Sequence, residues 1–344
     1  MLDLTNETWR SNRFGGSEKK RTLIYDGKTY MVKFPDPVRS TKRTTLSYIN
    51  NQFSEHVGCE IFRCLGIPVQ KTFLATCIDP MNKKEKIVVA CELFCQNGEG
   101  NLIEFSRFLL NDTDSNTRRT TTVEDVMDVL EHSPLLQDKE KIKGYFWNMF
   151  VVDAFIGNGD RHLDNWGLIE TTDGKFSPAP VYDCGSSLSP LKSDEKKAQL
   201  LEDENAFKQE EYNLNSVYRM NGKRILYHEI FKNPPEDLRR AIQRIVPRIK
   251  AASARIDDLI DRTEGLSDIS KEYMKKSLAL RREQILLPSL KKCNEKDEAS
   301  SECVGKIPSP QAASYSHGKR TSISEQRSMI ISSMLSILRK PYAI

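Results

Sequence analysis

Between residues 22 and 34 the chain reads TLIYDGKTYMVKF, two β-rich runs on either side of Asp26-Gly27. Asp-Gly between such runs predicts a tight hairpin, because a type I′ turn needs positive φ at both central positions. Apolar residues then recur at helical intervals through 46–65, LSYINNQFSEHVGCEIFRCL, and the run stops at Gly66 and Pro68. PVQKTFLATCI and KIVVACELF follow as two further predicted strands. Hairpin, helix and strands together predict a small, β-rich amino-terminal lobe over residues 1–95.

From about residue 105 the pattern turns mainly helical. IKGYFWNMFVVDAFI, 142–156, is apolar nearly all round, which predicts a buried helix, and it runs directly into GNGDRHLDN. WGLIET and KFSPAPVYD predict two short strands about Thr172-Asp173-Gly174. Asn233-Pro234-Pro235 predicts an N-cap with proline in the first turn. Behind it Leu238, Ile242, Ile245, Ile249, Ala252, Ile256 and Leu259 form a stripe of helical period, and another helix is predicted over 268–287. These segments define a mainly helical carboxy-terminal lobe, 96–290. Residues 291–327 are polar, Ser-rich and aperiodic and read as a flexible linker, while 328–344 regains amphipathic spacing and predicts a helix that docks on the body.

Chemistry concentrates in GNGDRHLDNWGLI and APVYDCGSS. Asn165 stands eight residues before Asp173 and Asp183 nine after Gly174, so antiparallel pairing returns both to one end of the ribbon. An amide oxygen and a carboxylate then converge, the hard oxygen donors Mg²⁺ accepts when phosphates complete its shell. Asp160 lies five residues before Asn165, on a glycine-bracketed loop, placed to orient an attacking hydroxyl and take its proton. Lys33, on a strand after a Gly15-Gly16-Ser17 turn, is placed to reach nucleotide phosphates, and Glu55 and Glu60 are both candidates to hold it. The turn itself offers backbone N–H groups to a phosphate, with Lys19 or Lys20 adding charge.

Composition narrows the setting. A 38% hydrophobic, 29% charged chain of 344 residues has enough apolar material for a sizeable core, and no stretch approaches the roughly 20 apolar residues of a membrane span. The amino terminus lacks a basic-then-apolar leader pattern. Eight cysteines and five histidines contain no CxxC pair and no zinc spacing, which points to free thiols in a reducing compartment. Net charge is only +4, so no nucleic-acid partner is expected; residues 1–50 nevertheless carry ten Lys/Arg against five Asp/Glu, a bias that charge alone assigns first to a solvated basic face and that would also suit a nucleotide.

GNGDRHLDNWGLI together with VYDCGSS resembles the active-site signature of the HipA-like kinases, bacterial relatives of the protein-kinase and phosphatidylinositol-kinase fold. The resemblance spans roughly residues 9–290 and includes WRSNRFGGSEKK, MVKF, SEHVGCEIFRCLGIPV and CELF. It implies an α+β, bilobal protein-kinase-like fold using ATP and Mg²⁺. It implies Asp160 as catalytic aspartate with His162 beside the phosphates, and Asn165 and Asp183 as metal ligands. Gly15, Gly16, Ser17, Lys33 and Glu55 would serve the phosphates, and Glu92 and Phe94 would offer backbone groups to adenine. Asp164 stands where many HipA-like sequences carry Lys, which brings DRHLDN closer to the lipid-kinase version. The expected activity is transfer of the γ-phosphoryl group to protein Ser/Thr, Tyr included as an option, with self-modification at Ser314, Tyr315, Ser322 or Ser324. A lipid or small-molecule kinase, with PLKSDEKK (190–197) facing a membrane, and a non-catalytic nucleotide-binding protein are the alternatives. The resemblance further implies a cytoplasmic protein, or one exported without a cleaved leader into host cells and acting on host proteins.

Overall fold

The structure is a computed structural model that describes residues 1–11, 19–35, 50–79, 83–96, 98, 100–109 and 122–304, with side chains up to 298. The Gly15-Gly16-Ser17 turn, the tail serines and tyrosine, and the 328–344 segment lie outside the described residues.

The amino-terminal lobe is a six-stranded sheet built from β1 (Leu2–Asp3), β2 (Thr8–Arg10), β3 (Lys20–Tyr25), β4 (Lys28–Lys33), β5 (Thr72–Ile78) and β6 (Glu85–Glu92), in the order β1-β5-β6-β4-β3-β2. All neighbours are antiparallel except β1 and β5. The β3–β4 hairpin turns at Asp26 and Gly27, with φ of 47° and 69°, the geometry that Asp-Gly favours. One face of this sheet buries Leu23, Val32, Phe34, Ala75, Val88 and Ala90 in a core of its own. Helix α1 (Asn51–Cys64) lies on the other face and carries Phe53, Val57, Ile61 and Phe62 into the large core of the second lobe. The two lobes expected from the sequence therefore sit within one compact unit, Met1–Glu298.

The second lobe contains β7 (Asn101–Glu104), α2 (Ser106–Leu109), α3 (Val123–His132) and α4 (Lys139–Ile156), then the β8 (Gly167–Glu170) and β9 (Phe176–Pro178) ribbon. Next come α5 (Asp194–Glu202), α6 (Glu204–Tyr212), β10 (Asn215–Met220), β11 (Lys223–Leu226), α7 (Tyr227–Ile230) and α8 (Glu236–Asp261). α4 and α8 form its centre, and the stripe from Leu238 to Ile256 is buried as its period requires. α8 starts one position past Pro235, which is the N-cap, so Asn233 does not cap it as its sequence suggests. α9 (Asp268–Arg281) passes through a π-helical turn at 282–286 into α10 (Leu287–Val304). The linker expected from residue 291 is thus helical to Val304: seven of the residues from 291 to 298 are Lys, Asn, Glu or Asp, and such residues sustain a helix whose first turns are anchored. Among the described residues no helix is long and apolar enough to cross a membrane.

Candidate active site

Four elements meet in the cleft between the lobes. Val32 and Phe34 point into the outer core of the sheet, so strand alternation turns Lys33 to the opposite face. There its Nζ donates to Glu55 Oε2 at 2.8 Å and to Asp183 Oδ1 at 2.7 Å. Lys33 and Glu55 are buried, whereas the Asp183 side chain remains 31% exposed. The other Glu55 oxygen accepts from the Cys184 amide at 3.1 Å. One carboxylate on α1 thereby fixes both the lysine and the chain just after Asp183. Gly58 permits this approach, because a Cβ there would stand 2.7 Å from that of Cys184. Glu60, the second sequence candidate, pairs instead with Arg63.

On the other side of the cleft, α4 ends at Gly157 in the left-handed conformation, φ 70°, and releases the loop that carries Asp160. The Asp160 carbonyl accepts from His162 N–H at 2.8 Å and from Asn165 Nδ2 at 2.8 Å, and Asn165 N–H donates to the His162 carbonyl at 2.9 Å. With its nitrogen so engaged, Asn165 has Oδ1 as its remaining acceptor. Arg161, almost wholly buried, clamps the assembly. It donates to both oxygens of buried Asp153 on α4 at 3.0 and 3.1 Å, to the Asn165 carbonyl at 2.9 Å, and to the Tyr182 carbonyl. A single guanidinium thus holds the backbone at Asn165 and next to Asp183.

The electrostatics follow from these neighbours. Burial opposes ionisation of Asp183, but the Lys33 ammonium outweighs it and holds the carboxyl at about 2, so Asp183 is an anion at neutral pH. Asp160 stands at the cleft mouth, and withdrawal of its carboxylate from water raises its pKa. His162 and Arg161 work against that rise, the Asp183 charge adds to it, and the Ser186 hydroxyl hydrogen-bonds to the same carboxylate. Asp183 itself adopts φ 58°, a left-handed conformation uncommon for a residue other than glycine and concentrated at functional sites.

A family model for the HipA-like C-terminal domain matches residues 13–253. The chain belongs to the HipA-like family. Serine/threonine-protein kinase CtkA of Helicobacter pylori is 35% identical over 281 residues, covering 79% of this HipA-like chain and 82% of the relative. The crystal structure described as a Helicobacter pylori proinflammatory kinase, CtkA, superposes with a TM-score of 0.75 at 31% identity, covering 86% of this chain and 98% of that one. A HipA of Shewanella oneidensis MR-1, solved with HipB and operator DNA, aligns at 15% identity with a TM-score of 0.47, covering 80% and 65% of the two chains. The resemblance expected from the motifs and the kinase-like α+β fold are both borne out, and this HipA-like chain is a kinase.

At the hinge of this HipA-like fold, Glu92 N–H donates to the Lys71 carbonyl at 2.8 Å and the Glu92 carbonyl accepts from Gln70 Nε2 at 3.0 Å. A carbonyl has a second lone pair, so Glu92 keeps one acceptor position but no N–H for a ligand. Its side chain leaves the cleft and pairs with Lys28 at 3.1 Å. Phe94 packs on Tyr182 with ring centroids 5.8 Å apart. A cavity of about 360 Å³ runs along this hinge between Gln70, Glu92, Phe94 and Pro180; Lys33, Asp160, Asn165 and Asp183 are not among its lining residues.

Sequence reasoning missed Arg161, Asp153, Ser186 and the choice between Lys19 and Lys20. A signal existed for Asp153, the sole carboxylate in the apolar run 142–156 and a residue that needs a buried cation. Lys19 is taken by Asp79, 2.8 and 2.9 Å from its two oxygens.

Proposed function

We infer that this HipA-like chain is a protein kinase that transfers the γ-phosphoryl group of Mg-ATP to serine or threonine hydroxyls, its own included. The observation that carries this reading is the chain of contacts Glu55–Lys33–Asp183, buried at one end and open to the cleft at the other, where the Asp183 charge acts on Asp160. Asn165 Oδ1 and the ionised Asp183 carboxylate are oxygen donors of the type Mg²⁺ takes, and among the described residues no cluster of three His, Cys, Asp or Glu offers a complete shell. That is the partial set expected where phosphates and water supply the remaining ligands. The metal, when bound, neutralises charge on the phosphates.

The protein's own groups have distinct tasks. Lys33, steadied by Glu55, exchanges Asp183 for phosphate oxygens and fixes their position. Asp160 accepts a hydrogen bond from the acceptor hydroxyl. As that oxygen bonds to γ-phosphorus, the bond from γ-phosphorus to the bridging oxygen breaks, ADP leaves, and the proton passes to the Asp160 carboxylate. A raised pKa makes this carboxylate a better base than an ordinary aspartate. His162, half-buried on the same loop, would stand beside the phosphates, as the resemblance implies. Phe94 and the Glu92 carbonyl are the hinge groups left for adenine.

A protein acceptor is favoured over a lipid by the 190–197 segment. Lys192 is ion-paired with Glu211 at 3.2 Å, and Lys197 is buried and donates to Ser270 at 2.7 Å. Only Lys196 of its three lysines is exposed, so the segment does not present a basic face to a membrane. The test is mass spectrometry after incubation with Mg-ATP and a basic protein substrate, with phosphatidylinositol vesicles in parallel. Wild type should phosphorylate protein, and Asp160→Ala should lower the rate by roughly 10²- to 10⁴-fold. Phosphate appearing in lipid alone, or nucleotide binding without turnover, would refute the reading.

A further inference from the structure

Charge is unevenly spread along α8. From Leu238 to Arg255 it carries Arg239, Arg240, Arg244, Arg248, Lys250 and Arg255 and not one acidic residue. Arg240, Arg244 and Arg248 recur every four positions and share a face, which Arg255, seven positions further, continues. Like charges at that spacing destabilise a helix. Partial withdrawal from water, and then the charges of Arg240 and Arg248, push the Arg244 guanidinium below its ordinary pKa. Arg240 is paired with Asp237, but among the described residues no carboxylate pairs with Arg244, Arg248 or Arg255. They take neutral oxygens instead. Arg244 donates to Asn148 Oδ1 at 3.1 and 3.3 Å, Arg248 to the Leu65 carbonyl at 3.3 Å, and Arg255 to the Cys64 carbonyl. The last two cap the end of α1. A guanidinium is a fork of several N–H groups, so each of these anchored arginines keeps donors for a further partner.

A second observation gives the face a shape. Arg248 and Arg255 line a cleft of about 540 Å³ together with Leu65, Gly66, Ala251 and Ala252. The two alanines fall between the arginines along α8, so a small apolar lining separates two cations roughly 10 Å apart along the axis. Cys64, at the rim of this cleft, lies about 14 Å along α1 from Glu55, well away from the Lys33 contacts. The dimensions select a partner. Arg240 to Arg255 covers about 22 Å of helix, the reach of six or seven residues of extended chain at about 3.3 Å each and far more than a single inorganic anion occupies. A phosphodiester backbone offers charge but nothing for the apolar lining. A bilayer is flat where this surface is concave, and none of the exposed large apolar side chains lies on α8 to enter one.

We propose that the Arg244–Arg248–Arg255 face of α8 and the cleft beside it form a docking site for an acidic, extended segment of a partner protein, in which carboxylates alternate with apolar side chains. The carboxylates meet the guanidinium forks, and an apolar side chain between them rests on Ala251 and Ala252.

Fluorescence anisotropy with a labelled peptide of alternating Glu and Leu, about seven residues long to match that reach, measures the binding. Arg248→Gln/Arg255→Gln keeps N–H donors for the α1 carbonyls, removes both charges, and should weaken the complex by about 10- to 100-fold. Ala251→Glu leaves every arginine in place and puts an anion in the cleft; it should weaken binding by about tenfold or more. Position 251 is exposed and Glu is a good helix former, so this variant should melt as wild type does. Lys223→Gln/Arg224→Gln, which removes equal charge from the exposed β10–β11 hairpin, should change affinity by no more than about twofold. Bound peptide should also slow alkylation of half-buried Cys64, read by mass spectrometry. Failure of wild type to bind the peptide overturns the proposal, as does full affinity in Ala251→Glu or an equal loss in the hairpin control. Tighter binding of an oligonucleotide of matching length, or of phosphatidylserine vesicles, overturns it as well.

Discussion

Replacing Arg161 by Met should separate stability from catalysis. The guanidinium is buried, and its Asp153 partner is more than nine-tenths enclosed. Burial pushes the Asp153 carboxyl upward while Arg161 draws it down, so the aspartate depends on this one cation and on Asn158. Removing one partner of such a pair typically costs about 3–5 kcal/mol, because the other charge stays buried without compensation. For a chain this long that corresponds to a fall of roughly 5–15 °C in melting temperature. The double variant Asp153→Leu/Arg161→Met removes both charges and should regain much of the lost stability, since apolar replacement of a buried pair is often neutral. It should not regain activity. The carbonyls of Asn165 and Tyr182 lose their shared donor, and a shift of about 1 Å at reacting groups can cost 10²-fold. Differential scanning calorimetry and steady-state kinetics on the three proteins check both halves. A single variant as stable as wild type, or a double variant with full kcat, would refute the reasoning.

Further outcomes follow from the same contacts. Glu55→Gln should lower kcat/KM by about 10²-fold through misplacement of Lys33, whereas Glu60→Gln, on the exposed Arg63 pair, should change it by no more than about twofold. Gly157→Ala should lower the melting temperature by several degrees, because φ is 70° and the new Cβ would lie 2.8 Å from the Arg281 guanidinium. Glu211 is buried, which disfavours its charge, but Arg281 and Lys192 hold its carboxyl at about 2, below an ordinary 4.5. A depressed folded-state pKa contributes stability above pH 4.5 and loses it as pH falls toward 2. The stability difference between wild type and Glu211→Gln, measured by urea titration, should accordingly shrink over that window and be constant from pH 5 to 7.

Local signals carried the sequence reading furthest. Asp26-Gly27 dictates its own turn, and the Leu238–Ile256 stripe dictates a buried face, so both are legible without knowing their neighbours. The 215–226 hairpin was equally local: Asn221 and Gly222 both have positive φ, and Asn-Gly is a strong turn signal that the helical pattern around it obscured. Other features exist only through distant partners. β1 spans two residues and is recognisable only because Leu2 and Asp3 meet Ala75 and Thr76. The selection of Glu55 over Glu60 rested on the resemblance alone, since both lie on one helix and it is the packing of Gly58 against Cys184 that brings Glu55 into the cleft. Lys20 and Lys19 differ by a single residue and hence by a face of the sheet, which register alone resolves.

The central claim is that Asn165 and Asp183 share one divalent ion in the presence of nucleotide. Electron paramagnetic resonance of Mn²⁺, titrated with a non-hydrolysable ATP analogue, measures that directly. The account predicts nucleotide-dependent Mn²⁺ binding that either Asn165→Ala or Asp183→Ala weakens by more than the roughly 10- to 100-fold typical of losing a residue that only orients a ligand. Mn²⁺ bound with the analogue at wild-type affinity in both variants would contradict it.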